Sequence, residues 1–505
     1  MPSTQTKTSR LFLLAASALL TALAHGADAS PLETGTTAQA PNPPPLATPA
    51  RTVPVSTSQT TATPGYGTLP NDNSPGFTGW ERPAWLSELS FGVKESYDDN
   101  ILRVSGNGLP TESSWVDLLS LKLGLNLTSL LSLDPAEFQT FSVIYEADHA
   151  DYSNASSEDF TAHHLNALLK AKAGDFSYGV DNAFLYNDGD KLAPTYALNQ
   201  LAGAAANQND KYRNTFAHAA PRERRNQVQD RYSVFAQYDT PYVFVRAASS
   251  LNYIDMRTEL FNTSLAPYKG YQDYVERYDL NAGGDLGFKV AQDWAITVGY
   301  RDGYQYQQQF SEAINTDQHY SSNHYQRLLF GLEGKLSWLS VKLDAGPDFR
   351  DFNPDAPIND LHTTRFYGEA NVIATLAPNQ TLTLNYRDFI FVSSTGLVPY
   401  EDYVYGLVYH WGVTKQLGLD LTARLFEQNY TIGNDVAGSA PSLRDDFDYE
   451  GIVGITYAFT PHLIASLSYS YDKGLNGLTS LPAKDFPAYR NFEDGVVGAG
   501  LQYRF

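Results

Sequence analysis

The stretch "LLSLKLGLNLTSL", Leu118–Leu130, decides the architecture. Side chains of an extended chain alternate between two faces. Leu119, Leu121, Leu123, Leu125 and Leu127 therefore share one face, and Ser120, Lys122, Asn126 and Thr128 share the other. The same alternation returns in "LSVKLDAG" (Leu339–Gly346), "QTLTLNYRDF" (Gln380–Phe389), "GLDLTARLF" (Gly418–Phe426), "YEGIVGITYAF" (Tyr449–Phe459) and "HLIASLSYSY" (His462–Tyr471). Runs of about 9 to 13 residues suit tilted strands that cross a bilayer.

The connections alternate in length. Short turns such as "KAGDF", "YDTPY", "AQDW", "LAPNQT" and "FTPHL" follow every second run. Longer polar loops lie between them, at Asn187–Arg225, Arg257–Asp273, Gln307–Asn323, Ile432–Asp445 and Lys473–Arg490. Short turns on one side and long loops on the other describe an all-β, transmembrane, antiparallel up-and-down barrel. A soluble two-sheet protein would instead bury both inner faces as a core. The run count predicts about 18 strands over residues 81–505, with 16 as the alternative. Two places strain the pattern: Asn182 would face lipid, and a bulge near Asp388 is expected to keep Phe389 and Phe391 outward.

Composition agrees. With 34 Tyr, 26 Phe and 37 Gly against 2 Met, the chain favours strands. A net charge of -21 disfavours nucleic acid as a partner. The absence of Cys excludes a disulfide framework, thiolate metal sites and a lipid-anchored cysteine. Lys7 and Arg10 precede "LFLLAASALLTALA" (Leu11–Ala24), with small residues at Ala22, Ala24, Gly26 and Ala29. Residues 1–26 are thus expected to be a signal peptide, because some 14 apolar residues fall short of the roughly 20 that span a bilayer. Residues 27–80 carry "PNPPPLATPA" and "TVPVSTSQTTATPGYG" and are expected to be a disordered periplasmic linker. The expected location is the cell outer membrane, with outer-membrane lipid and lipopolysaccharide as surroundings.

Aromatics gather at run ends, at Trp294, Tyr403, Tyr409, Trp411, Tyr457, Phe459, Tyr469 and Tyr471, where interfacial girdles sit. The final "GLQYRF" resembles the C-terminal aromatic signal that outer-membrane proteins present to the barrel-assembly machinery, with Tyr503 and Phe505 as its aromatic residues. The first strand, "LSFGVKESYDDNILRV" (Leu89–Val104), resembles the opening of the beta-barrel porin 2 family through Tyr97, Asp98, Asp99, Asn100 and Ile101. The resemblance implies an outer-membrane barrel, in some members one associated with exopolysaccharide export. Asp98, Asp99 and Asn100 could offer oxygen ligands to Ca²⁺; the plainer alternative is an Asx turn at a solvated strand end.

No metalloprotease, nucleophile-elbow or P-loop pattern is present, and no catalytic residue, metal or cofactor is expected. His163 and His164 should point to opposite faces, while Asp148–His149 and Asp360/His362 are neighbours that chance supplies. The inward face is richer. Parity places Lys122, Lys170, Arg246, Arg301, Arg327, Lys342, Arg365, Arg387 and Arg424 inside, together with Lys94. Glu146, Asp344, Glu369, Asp420 and Glu450 join them as expected pore-lining residues. A lumen of this size exceeds what side chains fill, and opposed charges on its walls screen solutes. The longest loop carries Arg213, Arg222, Arg224 and Arg225. It could fold inward as a constriction, clamp lipopolysaccharide phosphates, or simply be solvated. The function expected is passive or weakly selective passage of small polar or anionic solutes or saccharides. The alternative is a non-conducting barrel acting as a surface anchor, adhesin or assembly partner, and an enzyme ranks third.

Overall fold

Each alternating run forms a β-strand in the computed structural model, which describes residues 82–101, 113–189, 226–257, 276–308, 321–354, 356, 360–392, 399–429, 445–476 and 492–505. The first strands are β1 (Leu86–Asp98), β2 (Ser114–Asn126), β3 (Thr140–Tyr152), β4 (Phe160–Ala173), β5 (Phe176–Asn187) and β6 (Gln227–Asp239). They are followed by β7 (Val243–Met256), β8 (Arg277–Ala291), β9 (Trp294–Gln307), β10 (Asn323–Lys335), β11 (Leu339–Phe352) and β12 (His362–Ala377). The last six are β13 (Gln380–Phe391), β14 (Tyr400–Gly412), β15 (Leu417–Asn429), β16 (Asp445–Ala458), β17 (Leu463–Asn476) and β18 (Phe492–Arg504).

Every strand pairs antiparallel with its sequence neighbours, and β1 pairs with β18 from Ser90↔Arg504 to Asp98↔Val496. The 18-stranded sheet is therefore closed and has no edge. Connections of two to four residues, such as Gly174–Asp175, mark the periplasmic end, where β1 begins and β18 finishes. Phe505 N donates to Leu89 O at 2.9 Å, so the last residue extends the closing seam. Tyr503 and Phe505 stack edge to face on the outer surface.

The register carries the face alternation around the wall. Leu119, Leu121, Ile296, Phe330, Leu467 and Leu501 stand exposed on the outside, as residues facing hydrocarbon must. The eight aromatics named above share that outward parity at the strand ends. A closed sheet with an apolar outer band between aromatic rims is the solution that lipid imposes on strands, and this is an outer-membrane β-barrel.

Three details differ from the sequence reading. Leu127 leaves the outer ladder to start a helical turn, α1 (Leu127–Leu130), because Asn126 caps it by accepting from Ser129 N at 3.2 Å. No bulge interrupts β13 against β14, whose register runs unbroken from Gln380↔Trp411 to Phe391↔Tyr400. Phe389 and Phe391 consequently point into the lumen and Asp388 takes the opposite face. Asn182 does lie on the outward face, and donating to Asp230 Oδ1 at 2.6 Å keeps its amide satisfied there. The signal peptide (1–26), the linker (27–80) and loop residues Arg213, Arg222, Arg224 and Arg225 lie outside the described residues.

The two faces respond differently to charge. Leu467→Arg, near the bilayer midplane, should cost roughly 2–4 kcal/mol, whereas Ser468→Arg, one residue on and facing the lumen, should cost much less. Urea titration of the refolded variants in lipid vesicles measures the difference.

Candidate functional site

Contacts between strands that are not neighbours in the wall must cross the concave side, and they locate the lumen. Arg246 on β7 donates to Asp285 on β8 at 2.8 Å and reaches Glu333 on β10 at 3.1 Å. Arg301 on β9 closes on the same Asp285 at 2.7 Å. Three strands are thereby tied to a fourth through one carboxylate and one guanidinium. Cross-strand register puts the other named charges on this inner face. Lys122 lies opposite Glu146, Lys342 shares its strand with Asp344, and Asp344 stands opposite Glu369. Arg365 faces Asp348, Arg387 faces Glu369, Arg424 faces Glu450, and Asp420 faces His410. Lys170 projects inward between Thr140 and Gly179.

These charges occupy two environments. Toward the periplasmic half they stay partly hydrated: Lys122 retains 26% of its side-chain exposure and Glu146 19%, with their charges 4.0 Å apart. Arg424 bonds Glu450 at 3.0 Å with 19% of its own surface open. Toward the extracellular half of β8–β11 the network is dry. Asp348 accepts from Arg327 at 3.1 Å and from Arg350 at 2.8 Å, with side-chain exposures of 0–3% for all three. Arg350 also donates to Gln305 and Asn323, Tyr325 donates to Asp279 at 2.6 Å, and Gln305 donates to the same carboxylate. The Arg327 guanidinium lies between the rings of Tyr325 and Tyr367, 4.0 and 4.2 Å from their centroids, an arrangement that favours a desolvated cation.

What dries this half is the tip of the β13–β14 hairpin. Pairing of β12 with β13 stops at Gly368↔Asp388, although β11–β12 continues to Asp351↔His362 and β13–β14 to Phe391↔Tyr400. Beyond Asp388 the hairpin leaves the wall and leans across the lumen. Gln305 on β9 donates to Ile390 O, and Arg277 on β8 donates to Val392 O, both at 2.9 Å. Arg277 also sits over the Phe391 ring. Ile390, outward by parity, is wholly buried beneath Phe352, Ala356 and Leu361. Leu329, Tyr367, Phe389, Phe391, Tyr400, Val404 and Phe426 form an apolar cluster inside the barrel. A second such cluster forms where Ile101, just after β1, packs on Val116, Leu118, Ala150, Tyr152 and Phe160.

The inward parity of Asp348 and Arg350 matches that of Lys342 and Asp344 on the same strand, so pattern alone could have placed them. The hairpin tip had no such signal. The Tyr97–Ile101 patch serves the closing seam: Asn100 N donates to Asp98 Oδ1 at 3.0 Å, an Asx turn, and Gly495 N donates to Asp99 Oδ1 at 2.7 Å. Asp98, Asp99 and Asp494 bring carboxylate oxygens within 4.8 Å of one another, a spacing that a hard cation can use. Several described histidines lie beside carboxylates, His164 at 3.8 Å from Asp148 and His410 at 2.7 Å from Asp420. His163 bonds Tyr145 on the outer face and His164 points inward. His149 and Asp148 diverge in the same way, and exposed His362 pairs with Asp351 at 2.7 Å.

No protein-family model matches the chain, and no curated protein matches it in sequence. Among solved structures it is similar to OccAB3 from Acinetobacter baumannii, at 13% identity and a TM-score of 0.37 over 83% of this chain and 99% of that one. It is also similar to OccK1 (OpdK) from Pseudomonas aeruginosa, at 10% identity and 0.39 over 83% and 100%. A third is the siderophore receptor PirA from Acinetobacter baumannii, at 10% identity and 0.35 over 84% and 81%. Likenesses at this level carry no argument about function; the class of the protein rests on its closed, lipid-facing wall.

Removing the shared acid of the dry network tests its role. Asp348→Ala leaves two buried guanidinium groups without their carboxylate and should destabilise the barrel by about 3–5 kcal/mol. Equilibrium unfolding in vesicles reads this loss.

Proposed function

We propose that the barrel is a channel for passive or weakly selective diffusion of small polar or anionic solutes or saccharides. One observation carries the reading: the periplasmic half of the inner wall is lined by charges that keep part of their hydration, Lys122, Glu146, Arg246, Glu333, Lys342, Asp344 and Arg424 among them. A barrel of about 16 to 18 strands encloses more volume than such side chains fill. Cations and carboxylates on facing walls impose a transverse field on whatever passes. In this reading the β13–β14 tip sets the narrowest part of the path, and Phe389, Phe391 and Tyr400 form its apolar side. A link to exopolysaccharide export has only the likeness of the Tyr97–Ile101 patch behind it.

The hairpin tip also favours a second reading, a non-conducting barrel that serves as a surface anchor, adhesin or assembly partner. Its bonds to Gln305 and Arg277 join strands four and five places apart in the wall and are the kind that narrow a lumen. Single-channel recording of the refolded protein in planar bilayers, under a salt gradient, separates the two. The channel reading expects stable open steps, a reversal potential displaced from zero, and larger steps when Phe389→Ala and Phe391→Ala are combined. A protein that stays closed in both forms contradicts it and leaves the anchor.

A further inference from the structure

Near mid-height on the inner wall, β1, β2, β3, β17 and β18 leave a groove open to the lumen. Its polar lining is Ser90, Lys94, Ser120, Lys122, Ser466, Ser468 and Gln502, with the Glu146 carboxylate on the far side beside Lys122. The inward positions of β18 beside it are Gly498 and Gly500, so the wall itself is set back. A Cβ at Gly498 would run into the Lys94 side chain at Cε, and one at Gly500 would press on the backbone of Val93. The glycines therefore let Lys94 lie across β18 toward the groove.

Two groups here lack a full complement of partners. Arg246, Arg301, Arg327 and Arg424 are each matched to a carboxylate within about 3 Å. Lys94 forms no ion pair among the described residues, although the strands around it shield it in part. Lys122 is held only loosely, at 3.6 Å from Glu88 and 4.0 Å from Glu146. The second group is the Gln502 amide. Its nitrogen donates to Ser90 Oγ at 3.0 Å, while Oε1 is buried with no donor among the described residues. A shielded cation and a buried acceptor that lack partners each cost free energy, which a ligand carrying the complementary groups recovers.

We propose that this groove is a binding subsite for a hydroxylated organic monoanion, a sugar acid. The carboxylate lies on Lys94, with Lys122 adding charge from the next strand. A ligand hydroxyl donates to Gln502 Oε1, and the Ser90 and Ser468 hydroxyls donate to or accept from the remaining ring hydroxyls. The proposal rests on the channel reading, in which the subsite loads a solute on its way through the lumen.

Equilibrium binding tests it without requiring conduction. Galacturonate, galactose and inorganic phosphate are titrated separately into the refolded full chain and followed by saturation-transfer NMR, with Lys94→Gln, Lys94→Arg and Gly498→Ala alongside. Galacturonate should bind more tightly than galactose or phosphate. Lys94→Gln should weaken galacturonate by about tenfold, the loss of one charge-assisted hydrogen bond, and leave galactose unchanged. Lys94→Arg should retain binding, and Gly498→Ala should weaken it by displacing the ammonium group. Equal galacturonate binding by wild type and Lys94→Gln, or galactose binding as tight as galacturonate, overturns the proposal. Phosphate binding as tight as galacturonate overturns the sugar-acid assignment. If Lys94→Gln does not refold, Gly498→Ala against Lys94→Arg makes the same comparison. Open channels without galacturonate binding sink the subsite alone; binding by a protein that never conducts sinks the channel and leaves the subsite standing.

Discussion

Hydrocarbon offers no partner to a backbone N–H or C=O, and the rest of the structure depends on that constraint. A sheet can enter the bilayer only if its first and last strands find each other. Here β1 and β18 do so over nine residue pairs, from Ser90↔Arg504 to Asp98↔Val496. The seam is fastened at both ends: Asp99 N donates to Gly495 O and Gly495 N donates to the Asp99 carboxylate at the extracellular rim, and Phe505 N reaches Leu89 O at the periplasmic rim. Once the sheet is closed, the two-residue period of the strand converts sequence directly into environment. Odd and even positions become lipid and lumen, and each pays a different solvation cost for the same side chain.

Closure also creates the problem that the interior solves. Ions placed inside a protein wall lose hydration, and their mutual attraction repays the loss only where geometry and hydrogen bonding are good. The periplasmic half avoids much of the cost by leaving Lys122, Glu146 and Arg424 partly wet. The extracellular half of β8–β11 meets it by pairing, with Asp348 shared between Arg327 and Arg350 and aromatic faces covering the guanidinium planes. The β13–β14 tip lies over this network and is held through main-chain carbonyl oxygens at Ile390 and Val392. Its position is thus fixed by backbone geometry, and Phe389 and Phe391 turn their rings into the apolar cluster inside the barrel.

Strand positions were legible in the sequence because every strand spans membrane and repeats one rule. The run quoted from Leu339 opens β11 at that residue, and the run quoted from Gln380 opens β13. The failures fall where the rule stops applying. Leu127 kept the leucine spacing, but Asn126 offered a cap and the chain turned helical. A bulge near Asp388 is expected to keep Phe389 and Phe391 on the lipid face, but the register is unbroken and parity turns both rings inward. Period-two patterning says which face a residue takes and not whether the strand remains in the wall, so the inward lean beyond Asp388 was invisible. Apolar clusters inside the barrel were missed for a related reason. Val116, Leu118, Tyr152 and Phe160 lie at inward parity near extracellular strand ends, where packing on Ile101 rather than hydration covers them.

The central claim is that one wall presents lipid outside, water inside toward the periplasm, and a filled lumen toward the extracellular end. Strand β10 samples all three within five residues: Leu329 in the dry cluster, Phe330 on the lipid face and Glu333 on the hydrated wall. The chain has no Cys, so single cysteines at these positions report without background. Reaction with a charged, membrane-impermeant methanethiosulfonate in vesicles should label Glu333→Cys quickly and leave Leu329→Cys and Phe330→Cys unmodified. Equal labelling of Leu329→Cys and Glu333→Cys would contradict the filled extracellular half, and labelling of Phe330→Cys would contradict the assignment of faces itself.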